Sequence, residues 1–154
     1  MKAATLNQKC SCPCGKSVFT AKGTPLGRFH CHCKICQTLY RQPFADVTVL
    51  WAGSISLPAD HSIRFRRYRL PPALQRGTCP NCAAPVAGFL RVAPFVRLAF
   101  VPSANFSDSA ALPAPGMHIF YHRRVSDIRD TLPKFSGYWA SELAVTRMVF
   151  RNAF

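Results

Sequence analysis

Eight cysteines fall into three tight groups, and no other feature narrows so far how the chain can fold. They read "CSCPCG" (Cys10, Cys12, Cys14), "CHCKIC" (Cys31, Cys33, Cys36) and "CPNC" (Cys79, Cys82). In extended backbone, residues two apart share a face, so a C-x-C pair offers both thiols to one ion. A C-x-x-C pair does the same from a tight turn. A closed zinc site takes four such ligands, at about 2.3 Å from each sulfur. Cys12 and Cys14 together with Cys79 and Cys82 supply one full set, which would tie the start of the chain to its middle. "CHCKIC" is left over as a trio. Three thiolates and one vacant position is the ligand count of a catalytic zinc, whereas a purely structural ion would draw a fourth ligand from His30, His32 or Cys10. Spacing alone leaves both readings open.

Disulfides are the weaker alternative. The opening residues, "MKAATLNQKCSC", contain no apolar stretch of the kind a secretory signal requires. No apolar run approaches the roughly 18 residues of a membrane span. A cytoplasmic protein is expected, in a compartment that keeps thiols reduced.

At 154 residues, 49% of them apolar, the chain is long enough for one domain with a buried core. Thirteen prolines and eight glycines divide it into short pieces, which favours strands over long helices. Segments rich in Val, Ile, Phe and Tyr predict strands at 17–21, 44–53, 62–70, 84–92, 96–101 and 117–122. In "SIRFRRYRL" the apolar residues change face between Phe65 and Tyr68, which a bulge at Arg66 and Arg67 would explain. Residues 102–116 have loop composition, and "VSDIRDTL" at 125–132 could form a short helix. The fold class expected is mainly β: a single zinc-binding domain of several short antiparallel sheets over residues 8–140. Residues 141–154 are read as a C-terminal extension that packs on this domain or trails from it.

The formal charge of +14 would attract polyanions or small anionic substrates. The arginines are dispersed apart from one cluster, Arg64, Arg66, Arg67 and Arg69, which reads equally as an anion site or as the charged face of an edge strand. His32, between two ligand candidates in an extended segment, should turn its ring away from them and pack or support. His30 and His118 read as structural residues, and Phe44, Trp51 and Trp139 as core or rim aromatics.

In order and spacing, "CPCG", "CHCKIC", "QPF" at 42–44, "RYRLPPALQRGTCPNC" at 67–82, "MHIF" at 117–120 and "DTLPKFSGYW" at 130–139 resemble the family of glutathione-dependent formaldehyde-activating enzymes, which includes centromere-protein-V-like proteins. The resemblance implies a β-tent-like zinc fold. It implies a structural zinc on Cys12, Cys14, Cys79 and Cys82, and a second, catalytic-type zinc on Cys31, Cys33 and Cys36, so two zincs per chain. It further implies a carbon–sulfur lyase acting on an adduct of an aldehyde with glutathione or a similar thiol, with nearby arginines receiving the carboxylates of that thiol. The alternative function is a non-catalytic zinc module that binds nucleic acid or another polyanion through its basic surface. Departures from the family pattern are Gln37 after the central motif, Gln42, Thr78, and Ala83 where a glycine is usual. Cys10 is additional, and Gly15 after Cys14 favours the 12/14 pair over 10/12 because glycine permits the turn beyond it.

Overall fold

A computed structural model describes residues 3–60, 62–70 and 74–154. Its strands are β1 (Leu6–Ser11), β2 (Val18–Gly23), β3 (Gly27–Cys31), β4 (Ala45–Trp51), β5 (Ile55–Ser56), β6 (Arg64–Arg67), β7 (Gln75–Thr78), β8 (Pro85–Ala93), β9 (Val96–Pro102) and β10 (His118–Ile119). Two α-helices, α1 (Lys34–Tyr40) and α2 (Tyr138–Ala153), and four 3-10 turns are the other described elements. The mainly β expectation holds. One sheet has the order β1-β2-β5, the other β10-β3-β4-β9-β8-β7-β6. Pairing is antiparallel except between β10 and β3.

The larger sheet is covered on both faces, and the alternation of its central strands shows why. Leu50, Ala99, Val101 and Val86 pack with Leu6, Phe19, Ala21 and Ile55 of the smaller sheet. Their sequence neighbours Val47, Val49 and Leu98 point the other way and pack with Phe29 and with Ala144 and Val149 of α2. Period-2 alternation in β4 and β9 thus feeds two separate cores. Helix α2 seats closely: Gly27 has φ 146°, and a Cβ there would lie 2.3 Å from Met148 Sδ. Asn152 adds a hydrogen bond to the Leu26 carbonyl at 3.0 Å. Among the described residues, no helix is long and apolar enough to cross a membrane.

Several expected elements differ. The strand expected over 62–70 spans only Arg64–Arg67, with all four residues exposed on the sheet edge. Its register with β7 runs without a break from Arg64↔Thr78 to Arg67↔Gln75, so there is no bulge at Arg66 and Arg67. Tyr68 and Leu70 lie past the strand end and need not share its face. The register shifts fall instead at Gly77/Thr78 and Arg91/Ala93. The expected strand 117–122 contracts to two residues and gives way to a 3-10 turn at Tyr121–Arg123. No helix forms over 125–132. Asp130 spends one oxygen on the Leu132 amide and Lys134 and the other on His118, bonds that favour a turn over a helix. Residues 71–73, inside the stretch that carries part of the family resemblance, lie outside the described residues.

One ion pair clamps the site-bearing strands. Arg28 donates from Nε and Nη2 to both oxygens of Asp46, at 2.8 and 2.6 Å, and from Nη1 to the Pro113 carbonyl at 3.3 Å. Against the burial that opposes its charge, bonds from Arg28, His30 and Ser103 hold the Asp46 carboxyl well below the usual carboxylate range. A depressed acid pKa contributes stability above the unfolded value, near 4, and loses it as pH falls below. Asp46→Asn should therefore cost about 2 kcal/mol at pH 7. Urea unfolding of both proteins should show that difference shrinking below about pH 4.

Candidate functional site

The thiols assemble into two groups, one on each covered face of the larger sheet. Cys12, Cys14, Cys79 and Cys82 bring their Sγ atoms within 4.8 Å of one another. Both halves are tight turns. Cys12 N–H bonds the Ser17 carbonyl at 3.0 Å, and Gly15, at φ 77°, returns its N–H to the Cys12 carbonyl at 3.0 Å. In the other turn Cys79 N–H bonds the Ala84 carbonyl and Ala83 N–H bonds the Cys79 carbonyl, both at 2.9 Å. Ala83 holds φ 61°, a left-handed conformation costly for a residue with a Cβ, at the position where a glycine is usual.

The donor set fits a zinc-type ion. A tetrahedron with 2.3 Å arms has sulfur–sulfur edges of about 3.8 Å. Here Cys12–Cys14 is 3.4 Å and Cys14–Cys79 is 3.8 Å, far beyond a disulfide bond, and all eight cysteines are free thiols. Against its burial, bonds from Ser17 and from the Cys82 and Asn81 backbones draw Cys79 down to about 6, towards the thiolate that a metal requires. Cys10 joins neither group. It is buried in the core between the two sheets, and that burial raises its thiol to about 11.

Cys31, Cys33 and Cys36 form the second group, again with Sγ atoms within 4.8 Å. Cys31 ends β3, Cys33 caps the start of α1 with its Sγ accepting from Cys36 N–H at 3.4 Å, and Cys36 lies in the first turn. Among the described residues no histidine, cysteine or carboxylate supplies a fourth ligand atom to this cluster. Hydrogen bonds from the Cys31 and Cys36 thiols pull Cys33 strongly towards thiolate, and those same bonds push Cys31 up. Arg76, reaching over from β7, places Nη1 3.5 Å from Cys36 Sγ. Burial opposes its charge, but the negative charge that Cys36 and Cys33 carry when ionised more than restores it.

Behind the trio runs a chain of rings. Asp130 Oδ2 lies 2.8 Å from His118 Nε2, and His118 Nδ1 lies 2.9 Å from His32 Nε2. An ionised Asp130 only accepts, so His118 carries its proton on Nε2. With both rings neutral, His118 Nδ1 accepts from His32 Nε2–H, and His32 Nδ1 keeps a bare lone pair, one of the buried atoms without a partner. Burial first, then His118 and His30, lowers His32 to about 4, so it stays neutral. Its ring belongs to a stack with Phe44 and Tyr121 rather than to the thiols, as the extended-strand argument anticipates. Gln37 fastens this region by donating to the carbonyls of His32 at 2.6 Å and Arg123 at 2.7 Å.

The trio opens on a cavity of about 610 Å³ between the sheet, α1 and α2, lined also by Tyr40, Arg76, Leu39, Leu90, Phe100 and Phe150. Sequence reasoning missed Arg76, which only the tertiary fold brings from β7 to the trio, and Tyr40, which lies one helical turn after Cys36 on α1. Of the four clustered arginines, Arg69 alone lines the cavity, while Arg64, Arg66 and Arg67 stand exposed on the edge strand. Three members of the cluster thus stand where its reading as the charged face of an edge strand puts them, and Arg69 faces the cavity.

A family model described as "Glutathione-dependent formaldehyde-activating enzyme" matches residues 7–123, which include all eight cysteines. No curated protein matches the chain.

A metal held by the four-thiol group would join the β1–β2 turn to the β7–β8 turn, so its removal should unfold more than a loop. Cys79→Ser, or a strong chelator at neutral pH, should remove that ion and lower the melting temperature by 10 °C or more, given the ~10 kcal/mol that such closures contribute. Calorimetry with metal analysis on the same samples checks this.

Proposed function

Because the chain belongs to the family of glutathione-dependent formaldehyde-activating enzymes, we infer that it is a cytoplasmic carbon–sulfur lyase acting on the adduct of a thiol and an aldehyde. In the reaction RS–H + O=CHR′ ⇌ RS–CH(OH)R′, a C–S bond forms and the thiol proton passes to the aldehyde oxygen. Nothing is oxidised or reduced. The observation that carries this reading is the trio of thiols, without a fourth ligand among the described residues, on the wall of a large cavity.

Cys12, Cys14, Cys79 and Cys82 would hold a structural zinc, and Cys31, Cys33 and Cys36 a second one. The second ion would keep a substrate sulfur deprotonated and polarise an aldehyde oxygen. Arg76 offsets the excess negative charge of three thiolates on a divalent ion. Tyr40 lines the same cavity, and burial followed by the Cys36 thiolate raises its phenol well above the usual value. It stays protonated and can donate a hydrogen bond to the aldehyde oxygen. The walls exclude water and hold the adduct against the trio.

The second reading, a module that binds nucleic acid, draws on the edge strand β6, where Arg64, Arg66 and Arg67 are all exposed. It requires DNA affinity to fall steeply with salt. A flat response, or no binding at moderate salt, removes it.

Cys33→Ser should abolish lyase turnover and release about one zinc per chain while the fold survives. Unchanged turnover on the glutathione adduct of formaldehyde would reject the lyase reading. Tyr40→Phe should retain both ions and lower kcat by roughly 100-fold.

A further inference from the structure

The cavity beside the trio is built for something other than two small, polar reactants. Its lining is dominated by apolar side chains, with Leu39, Leu74, Leu90, Phe100, Val145 and Phe150 from β8, β9, α1, α2 and the residue before β7. Two of the three arginines that reach it are occupied, and the third, Arg91, is exposed. Arg76 faces Cys36, and Arg69 pairs with Glu142 at 3.9 Å while its guanidinium stacks 5.2 Å over Tyr138. Formaldehyde would leave nearly all this surface wet, and for the carboxylates of glutathione the lining offers, outside these pairs, the exposed Arg91 alone. At about 610 Å³ the volume lies in the range of pockets that enclose a whole small-molecule ligand. Much of the wall also comes from α2, at Val145, Val149, Phe150 and Phe154, which lies beyond the residues 7–123 that match the family.

We propose that the cavity is a specificity pocket for thiol adducts bearing an apolar group of roughly six to ten carbons next to the C–S bond. The inference rests on the reading of the trio as the reacting centre. The apolar group could be carried by the aldehyde or by the thiol, and the chemistry recognised is the same: a C–S bond at the trio, with the chain continuing along Leu90, Phe100 and Phe150.

Binding and turnover test it separately. S-methyl-, S-butyl-, S-hexyl- and S-octylglutathione are inert thioethers whose binding to the zinc-loaded protein can be followed by calorimetry. Affinity should rise roughly threefold to fourfold per methylene, so that S-hexylglutathione, five methylenes longer, binds roughly 200-fold or more tighter than S-methylglutathione. Hexanethiol, without a glutathione carrier, should bind within tenfold of S-hexylglutathione if the thiol side supplies the chain, and far more weakly if the aldehyde side does. In the turnover arm, the glutathione adduct of hexanal should show a kcat/KM at least tenfold above that of the formaldehyde adduct. Phe150→Ala, which truncates an exposed wall residue, should flatten the chain-length series, with metal content as the control. A flat series in the unmodified protein overturns the proposal, and so does a second copy of the chain that covers the cavity, seen as a doubled sedimentation mass with no alkyl dependence. A steep binding series without turnover of any adduct would keep the pocket and reject the lyase reading.

Discussion

Four sulfurs converging from positions nearly seventy residues apart in sequence set the frame on which everything else hangs. Cys12 and Cys14 belong to the turn that leads from β1 into β2, and Cys79 and Cys82 to the turn between β7 and β8. The metal such a set would hold bridges the two sheets at the point where the smaller is thinnest, since β5 contributes only two residues to it. A three-stranded sheet of this size cannot bury enough apolar surface to hold its position alone. Leu6, Phe19 and Ile55 gain a common core with Val86 and Val101 because the two turns are fixed.

The larger sheet divides two tasks between its faces. One face is sealed by the second sheet and the four-thiol group and behaves as ordinary core. The other carries the three-thiol group and is only partly filled, with α2 standing off far enough to leave a cavity. The partial filling has a local cost in stability that the sealed face, the Arg28–Asp46 clamp and the His118–Asp130 bond offset. The three-thiol group and the incompletely packed face thus meet at one place, as the proposed site for a reactant would require.

What could be read from the sequence follows how local each constraint is. Ligand spacing is local, so the two thiol groups were legible before any fold was known, as were the apolar runs of β2, β4, β8 and β9. Strand β1 escaped notice because Gln8, half-buried at its middle, binds the Ser107–Asp108 segment with its side chain and breaks the apolar alternation. Helix α1 is a single short piece that begins on a ligand and carries no acidic cap. Helix α2 has inward positions at helical spacing, Ser141, Ala144 and Val149, but Leu143, Phe150 and Phe154 add apolar residues towards solvent and the cavity and blur the pattern. Arg76 and Tyr40 were invisible for another reason. Arg76 comes near the trio through strand order, which no local window records, and Tyr40 through its place one turn after Cys36 on α1, a helix too short to be read from the sequence.

The position of α2 at the far end of the chain also has a consequence for biogenesis. During synthesis every cysteine of both groups has emerged by residue 82, while the helix that walls the cavity is not complete until Ala153. Domains acquire structure from the N-terminus as they are made. Both thiol groups can therefore assemble while the cavity is still an open ledge, which becomes a chamber only once α2 has followed.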